Sequence, residues 1–326
     1  MKVLFIGGTG IISSACSKLA VSKGMDLYHL NRGQSSNLRP IDGVKNIIAN
    51  IRAIEASKKA LENHQFDVVV DWISFTTEHV QNSIDLFSGK TKQFIFISSA
   101  SAYQTPPEKL PVTEETVLDN PFWQYSRDKI ACENMLKKAY NEAGFPYTIV
   151  RPSHTYDKTL IPLIGDYTAY QRLKQGKPVI VHGDGTSIWT LTNHSDFAVG
   201  MVGLFGTTEA INNVYQITSD EWLSWNQIYK LFAKELGVEP QLVHIPSEII
   251  AKYNKDLGDG LLGDKTHSMI FDNSKIKALV PEFDAKIPFS EGVKEIVAWY
   301  EAHPAPEKFD TELDKTMDKI IQDFCC

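Results

Sequence analysis

An α/β chain, with a doubly wound parallel sheet followed by a smaller and less regular domain, is predicted by three observations. Short β-branched runs alternate with longer amphipathic segments through the first half, a Gly-rich turn follows the first run directly, and the alternation loosens after residue 155 into pieces punctuated by Pro and Gly. The strands read Val3 to Ile6, Asp26 to Leu30, Asn46 to Ala49, Asp67 to Val70, Phe94 to Ile97 and Tyr147 to Val150. Crossover helices are expected at Arg52 to Leu61, Glu78 to Phe87 and Phe122 to Ala143. Val68-Val69-Val70 lacks polar alternation, as a strand covered on both faces requires. The first domain spans residues 1–155, and a helix from Asp196 to Phe205 with a strand from Val214 to Ile217 returns the chain to it at about 187–217. Residues 156–186 and 218–326 form the second domain and a C-terminal helix. That helix carries Phe309, Leu313, Met317, Ile320 and Phe324 at helical spacing, a stripe expected to dock on its own protein.

Composition narrows the function classes. The 326 residues are 43% hydrophobic and 22% charged, which excludes disorder over most of the length. Lys plus Arg (33) against Asp plus Glu (40) leaves −7, a poor field for neutralising nucleic-acid phosphates. Cysteines at 16, 132, 325 and 326 have neither zinc-site nor disulfide-framework spacing, so a reduced, cytoplasmic setting is expected. Cys325-Cys326 does not fit the prenylation pattern, in which the cysteine stands fourth from the end. The N-terminus reads as a strand rather than a signal peptide, and no run of about 18 apolar residues predicts a membrane span. His154, His182 and His194 show no local ligand spacing, so no metal is expected.

Gly7-Gly8-Thr9-Gly10-Ile11-Ile12-Ser13 follows the first strand and opens the first helix. Glycine permits the tight turn and close backbone approach, and the free N–H groups of a helix N-terminus attract a pyrophosphate. Gly7, Thr9, Gly10, Ile11 and Ile12 are therefore expected to bind a dinucleotide, with Ser13 where a third glycine is usual in such Rossmann-type turns. The second strand ends Asn31-Arg32 without the acid that would take a ribose 2′-hydroxyl. Asn31 suits either cofactor and Arg32 a 2′-phosphate, so NADP is expected and NAD is possible. Asn50 and Ile51, beyond the third strand, are placed to meet the adenine.

Tyr125 and Lys129 stand at i and i+4 near the start of a long helical pattern, on one face. A nearby ammonium would pull the phenol below its ordinary pKa of about 10 and make it a usable acid/base. The fifth strand runs into Ser98-Ser99-Ala100-Ser101, which puts hydroxyls at the carboxyl end of the sheet, where such folds bind ligands.

Together these features resemble the extended short-chain dehydrogenase/reductase family, the NAD-dependent epimerase/dehydratase group, over essentially the whole chain. Arg151-Pro152-Ser153-His154 and Gly183-Asp184-Gly185 resemble later segments of that family. The resemblance implies that Ser99, Tyr125 and Lys129 are catalytic, that Lys129 also holds the nicotinamide ribose, and that helices Glu78 to Phe87 and Phe122 to Ala143 pair in a homodimer. Departures imply a rebuilt substrate pocket. Ala100-Ser101 replaces the Asp-Glu of dehydratases, His154 replaces an Asn, and Trp189 stands where an Arg would hold a nucleotide-sugar diphosphate. Ser101, His154 and Trp189 are thus the expected substrate contacts. UDP- and dTDP-hexoses are expected to bind poorly unless Lys174 or Lys177 supplies the missing charge. These replacements also resemble a divergent branch that includes chloroplast stem-loop RNA-binding proteins. The resulting expectation is an NAD(P)-dependent oxidoreductase or epimerase acting on a hydroxyl or carbonyl of a sugar-like or nucleotide-sugar small molecule, with Tyr125 as acid/base. The alternative is a catalytically silent dinucleotide-binding regulator or RNA-associated protein.

Overall fold

A computed structural model describes residues 1–33 and 39–325, without the Cys325 side chain. In chain order the elements are β1 (Lys2–Ile6), α1 (Ile11–Ser22), β2 (Asp26–Asn31), β3 (Lys45–Ile48), α2 (Ile54–Leu61), β4 (Phe66–Asp71), α3 (Thr77–Phe87), β5 (Thr91–Ile97), α4 (Gln124–Ala143) and β6 (Tyr147–Pro152). They continue with β7 (His154–Tyr156), α5 (Asp166–Lys174), β8 (Val179–His182), β9 (Ile188–Trp189), β10 (Leu191–Asn193), α6 (His194–Gly203), β11 (Asn213–Ile217), β12 (Leu223–Ser224), α7 (Trp225–Leu236) and β13 (Leu242–Ile245). Helices α8 (Ser247–Tyr253), α9 (Lys255–Gly260), a π turn (Leu261–Lys265), α10 (Ser274–Leu279), α11 (Phe289–Ala302) and α12 (Thr311–Cys325) complete the chain. The Cys325-Cys326 pair read from the sequence lies outside the described side chains. No described helix is long and apolar enough to cross a membrane.

Seven strands form one parallel sheet in the order β11-β6-β5-β4-β1-β2-β3. Strand order reverses between β1 and β4, and the crevice at their carboxyl ends is where open α/β sheets bind ligands. Alternate residues of each strand serve opposite faces. Val3, Phe5, Val68 and Val70 pack with Cys16 of α1 and Phe197 and Met201 of α6. Leu4, Ile6, Val69, Phe94 and Phe96 pack with Leu61 of α2, Val80 of α3 and Leu136 of α4. Both faces are covered, which is why the central strands need no polar side.

Two helices start later than apolar periodicity alone suggests, because Asn side chains claim the preceding backbone donors. Asn50 Oδ1 accepts from Arg52 N at 3.1 Å, and α2 begins at Ile54 rather than Arg52. Asn120 Oδ1 accepts from Phe122 N and Trp123 N, which delays α4 to Gln124. Gly144 ends α4 in the left-handed region at φ +67°.

A second core, rich in aromatic rings, gathers Tyr103, Tyr156, Tyr170, Trp189, Trp225, Tyr229, Phe232 and Phe289 off the sheet. On α12, Met317 and Ile320 are buried against Ile164, Ile180, Ile245 and Leu261, so this helix docks on its own chain. Its stripe is shorter than the spacing implied, for Phe324 is exposed and Phe309 packs against the aromatic core instead. Arg172 is fully buried and clamps α12 through Asp314 at 2.5 Å and Asp318 at 2.6 Å.

Candidate active site

The first half of the site is a groove of about 620 Å³ across the carboxyl ends of β1, β2 and β4. Gly7, Thr9, Gly10, Ile12, Asn31, Arg32, Asn50 and Ile51 line it, while Ile11 does not. Gly8 shows why the turn needs its composition. Its φ is +114°, and a Cβ there would stand 2.6 Å from the His29 ring. His29 is buried beneath the turn, hydrogen-bonded to Ser17 Oγ at 2.8 Å and stacked on Phe5, and burial lowers its pKa to about 4. Ser13 Oγ accepts from Gly10 N at 2.8 Å, bracing the helix start where a third glycine is usual. The backbone-lined turn, helix N-terminus and elongated groove fit the pyrophosphate and two nucleosides of a dinucleotide.

Two predicted cofactor contacts are occupied within the protein. Asn31 Oδ1 accepts from Gly33 N and its amide donates to Asn46, so this carboxamide secures the turn after β2. Asn50 uses its oxygen in the turn before α2. Arg32 is exposed at the groove rim. Trp72, Ile73 and Phe75, from the Asp71-Trp72-Ile73-Ser74-Phe75 stretch that replaces a small apolar strand end in the sequence, also line the groove. Sequence reasoning missed Arg52, which lines it as well. It also missed Arg39, whose guanidinium bridges the Thr9 carbonyl to Asp157 and Thr159 and so ties the Gly-rich turn to the segment after β7. Nothing in the local pattern around Arg39 signals a partner 118 residues away.

Beyond the groove, a cleft of about 240 Å³ is lined by Ser99, Ser101, Trp123, Tyr125, His154, Asp264 and Lys265 among others. It adjoins a cavity of about 510 Å³ that shares Trp123, His154 and Lys265. Trp123 packs on Tyr125 with ring centroids 4.9 Å apart. Buried Asn120 holds the cleft walls together, since its amide donates to the carbonyls of Ser101 and Gly263 while its oxygen accepts from the chain before α4. The larger cavity is walled by Leu160, Leu163, Leu257, Leu261, Trp225 and Leu313 of α12, with Asp166, Asp256 and Asp310 as its acids. Asp264 and Lys265, on the π turn, form an ion pair at 2.8 Å. The sequence offered only a Gly-punctuated stretch there.

Lys129 is buried and lines neither groove nor cleft. Its ammonium donates to the carbonyls of Ser74 and Ile97, each at 2.7 Å, and lies 4.7 Å from the Phe75 ring centroid. Burial lowers its pKa to about 8. The expectation that Lys129 would pull the Tyr125 phenol down is corrected here. Burial raises the Tyr125 pKa, the Ser99 hydroxyl opposes that rise, and Asp264 adds to it. The reason is placement, because the ammonium is spent on two carbonyls and stands 5.7 Å from the Tyr125 ring centroid.

Ser101 is among the residues lining the cleft but is only 4% exposed. Its Oγ lies 2.9 Å from Ser99 Oγ and accepts from Ser126 at 2.8 Å. Trp189 is corrected as a substrate contact: it is only 2% exposed, lines neither cleft nor cavity, and stacks on Trp225. Lys174 and Lys177 also lie away from the site, paired with Glu301 and Asp314. His182 is buried and bonds through Nε2 to the Lys265 carbonyl at 2.9 Å, fixing the π turn.

A Gly-rich turn on β1, a Ser after β5 and a Tyr-x-x-x-Lys helix at the crevice of a parallel sheet define the Rossmann-type short-chain dehydrogenase/reductase class. The chain belongs to the NAD dependent epimerase/dehydratase family, which it matches over residues 3–218. It is 25% identical over 256 residues to the chloroplast stem-loop binding protein of 41 kDa b of Arabidopsis thaliana, covering 74% of this chain and 65% of that protein. The chain thus spans slightly less than two thirds of that relative. It is 22% identical over 302 residues to a 2'-dehydrokanamycin reductase of Streptomyces kanamyceticus, covering 92% of this chain and 84% of the relative. The fold is shared with a UDP-glucuronic acid 4-epimerase from Bacillus cereus, solved with UDP-glucuronic acid and NAD, at a TM-score of 0.74 and 19% identity over 93% of this chain and 99% of that one.

Proposed function

We propose that the chain is an NAD(P)-dependent oxidoreductase or epimerase that acts on a hydroxyl or carbonyl of a sugar-like compound carrying little charge. The observation that carries this reading is that Ser99 and Tyr125 line the cleft, while Lys129 is buried beside them, its ammonium 5.7 Å from the Tyr125 ring centroid and bonded to the carbonyl of Ile97, a residue of the groove. A nicotinamide dinucleotide, when bound, supplies the hydride acceptor or donor. Gly7, Thr9 and Gly10 hold its phosphates and Lys129 its ribose. Ser99 donates a hydrogen bond to the substrate oxygen, and the Tyr125 phenol gives or takes the proton at that same oxygen. Burial favours the protonated phenol, the state needed for carbonyl reduction.

The charge of the cleft supports a substrate without a diphosphate. Lys265 is neutralised by Asp264, Lys308 is bonded to the Tyr300 hydroxyl, and no arginine is among the described residues lining cleft or cavity. A diphosphate needs cationic, preferably bidentate, partners. Similarity to the stem-loop binding protein favours the RNA-associated alternative, but a net charge of −7 opposes it. The test is a titration with NADPH and NADH followed by calorimetry with UDP-glucose. Tight binding of a dinucleotide and weak binding of UDP-glucose are expected. No dinucleotide binding, or salt-sensitive retention of RNA in its place, overturns the enzyme reading, and micromolar UDP-glucose overturns the substrate class.

A further inference from the structure

We infer that Trp189 fixes the His154 imidazole as its Nε2–H tautomer, making His154 a neutral hydrogen-bond donor that selects substrates with a second oxygen beside the reacting carbon. The substrate half of this inference rests on the function proposed above, whereas the tautomer does not.

The Trp189 indole Nε1 lies 3.1 Å from His154 Nδ1. An indole N–H only donates, so the nitrogen it meets must offer a lone pair, and the proton of a neutral imidazole is left on Nε2. Trp189 has little freedom to do otherwise. It is buried, stacked on Trp225 with centroids 5.7 Å apart, and carried on β9, which pairs with β12 through Leu223. His154 opens β7 and is held by the parallel partner Leu191 of β10, two residues beyond Trp189. Backbone pairing and ring stacking therefore set both ends of the hydrogen bond.

His154 is common to the lining of the catalytic cleft and of the larger cavity, and among the described residues no group is bonded to its Nε2. Burial, reinforced by the Lys265 ammonium, lowers its pKa to about 3, so the ring stays neutral under ordinary conditions. A neutral Nε2–H calls for an oxygen acceptor and gives nothing to an ammonium. With Ser99 and Tyr125 reserved for the reacting oxygen, His154 is left for a neighbouring hydroxyl or carbonyl, as in a hydroxyketone or a vicinal diol. Trp189 reaches no ligand and is a positioning residue that works through His154.

The first experiment uses the full chain labelled with ¹⁵N-histidine, its long-range ¹⁵N–¹H spectrum recorded at neutral pH and His154 assigned by its absence in His154→Asn. An Nε2–H pattern is expected, lost or mixed in Trp189→Phe, which keeps an aromatic ring and removes the donor. An Nδ1–H pattern or an imidazolium in the wild-type protein overturns the tautomer, and an unchanged pattern in Trp189→Phe overturns the claim that Trp189 fixes it. The second experiment compares NADPH-dependent reduction of 2-hydroxycyclohexanone with that of cyclohexanone. The hydroxyketone is expected to be favoured in kcat/KM by roughly fivefold, the worth of one hydrogen bond, and the ratio to fall toward unity in His154→Phe and partway in Trp189→Phe. A ratio that survives His154→Phe overturns the specificity role. If neither ketone is reduced, the oxidoreductase reading falls and the substrate half falls with it, while the spectrum still decides the tautomer.

Discussion

The dinucleotide groove and the substrate cleft lie side by side and are built differently. The groove is made mainly by four short segments, each at the end of a sheet strand: the Gly-rich turn after β1, Asn31-Arg32 at the end of β2, Ala49 to Arg52 beyond β3 and Trp72, Ile73 and Phe75 after β4. The cleft and its cavity collect residues from after β5, the start of α4, β7, the turn before α5, α7, α9, the π turn and α12. One site inherits its shape from parallel strand ends. The other depends on segments far apart in the chain being clamped, by Asn120 and His182 at the π turn and by Arg172 at α12. A groove of the first kind is expected to tolerate loss of the chemistry beside it, and a cleft of the second kind to change substrate without disturbing the groove.

The largest expected effect separates the two regions. Tyr125→Phe removes the transferable proton and keeps the ring that pairs with Phe75 of the groove, so turnover should fall by ~10²–10⁴-fold, about 3–5 kcal/mol in the barrier. Dinucleotide affinity, read by fluorescence titration, should stay near the wild-type value. Comparable losses in both measurements would mean that the regions are not separable.

Next comes Lys129, buried between Ile97 of the groove and Tyr125 of the cleft. Burial lowers its pKa in the folded protein to about 8, against an ordinary value of 10.5. Between those values the unfolded chain holds a proton that the folded chain has released, so wild-type stability must rise with pH relative to Lys129→Met. The gain is on the order of 3 kcal/mol across the window. Urea melts of both proteins from pH 7.5 to 10.5 measure it, and a constant difference contradicts the buried placement of the ammonium.

Gly8→Ala probes the groove alone. The new methyl meets the buried His29 ring from a left-handed backbone position, at a cost of about 1–3 kcal/mol, and should weaken NADPH and NADH alike. Unaltered melting and unaltered binding would show that the turn has room the geometry denies. The smallest effect belongs to Arg32→Ala at the exposed rim, where a screened pair with a 2′-phosphate is worth up to about 1 kcal/mol, roughly fivefold in affinity. NADPH should weaken and NADH should not. Equal weakening of both would remove the basis for preferring NADP.

The same contrast governs what could be read from the chain. Val3 to Ile6 running into Gly7-Gly8-Thr9-Gly10 is a local message, because a strand, a turn of positive φ and a helix start follow one another without interruption. Lys129 on the face of Tyr125, four residues on, is equally local. Asn31 and Asn50 were rightly seen at strand ends, yet which atoms their carboxamides bond was set by Asn46 and Arg52. Trp189 was read as a cleft wall because its position invited that comparison, whereas β9 and the Trp225 ring turn it behind His154.

The sequence by itself determined the parallel sheet, its Gly-rich turn and the Ser99, Tyr125 and Lys129 set, since periodicity, turn chemistry and helical spacing act over a few residues. Tertiary structure alone decided that Arg39 reaches Asp157, that the π turn brings Asp264 and Lys265 to Tyr125 and His154, and that α12 closes the cavity with Leu313. It also decided that burial, not the neighbouring ammonium, governs the Tyr125 phenol. The physical reason is that desolvation and long-range hydrogen bonds depend on what surrounds a group in space, and chain spacing carries no record of a neighbour a hundred residues away.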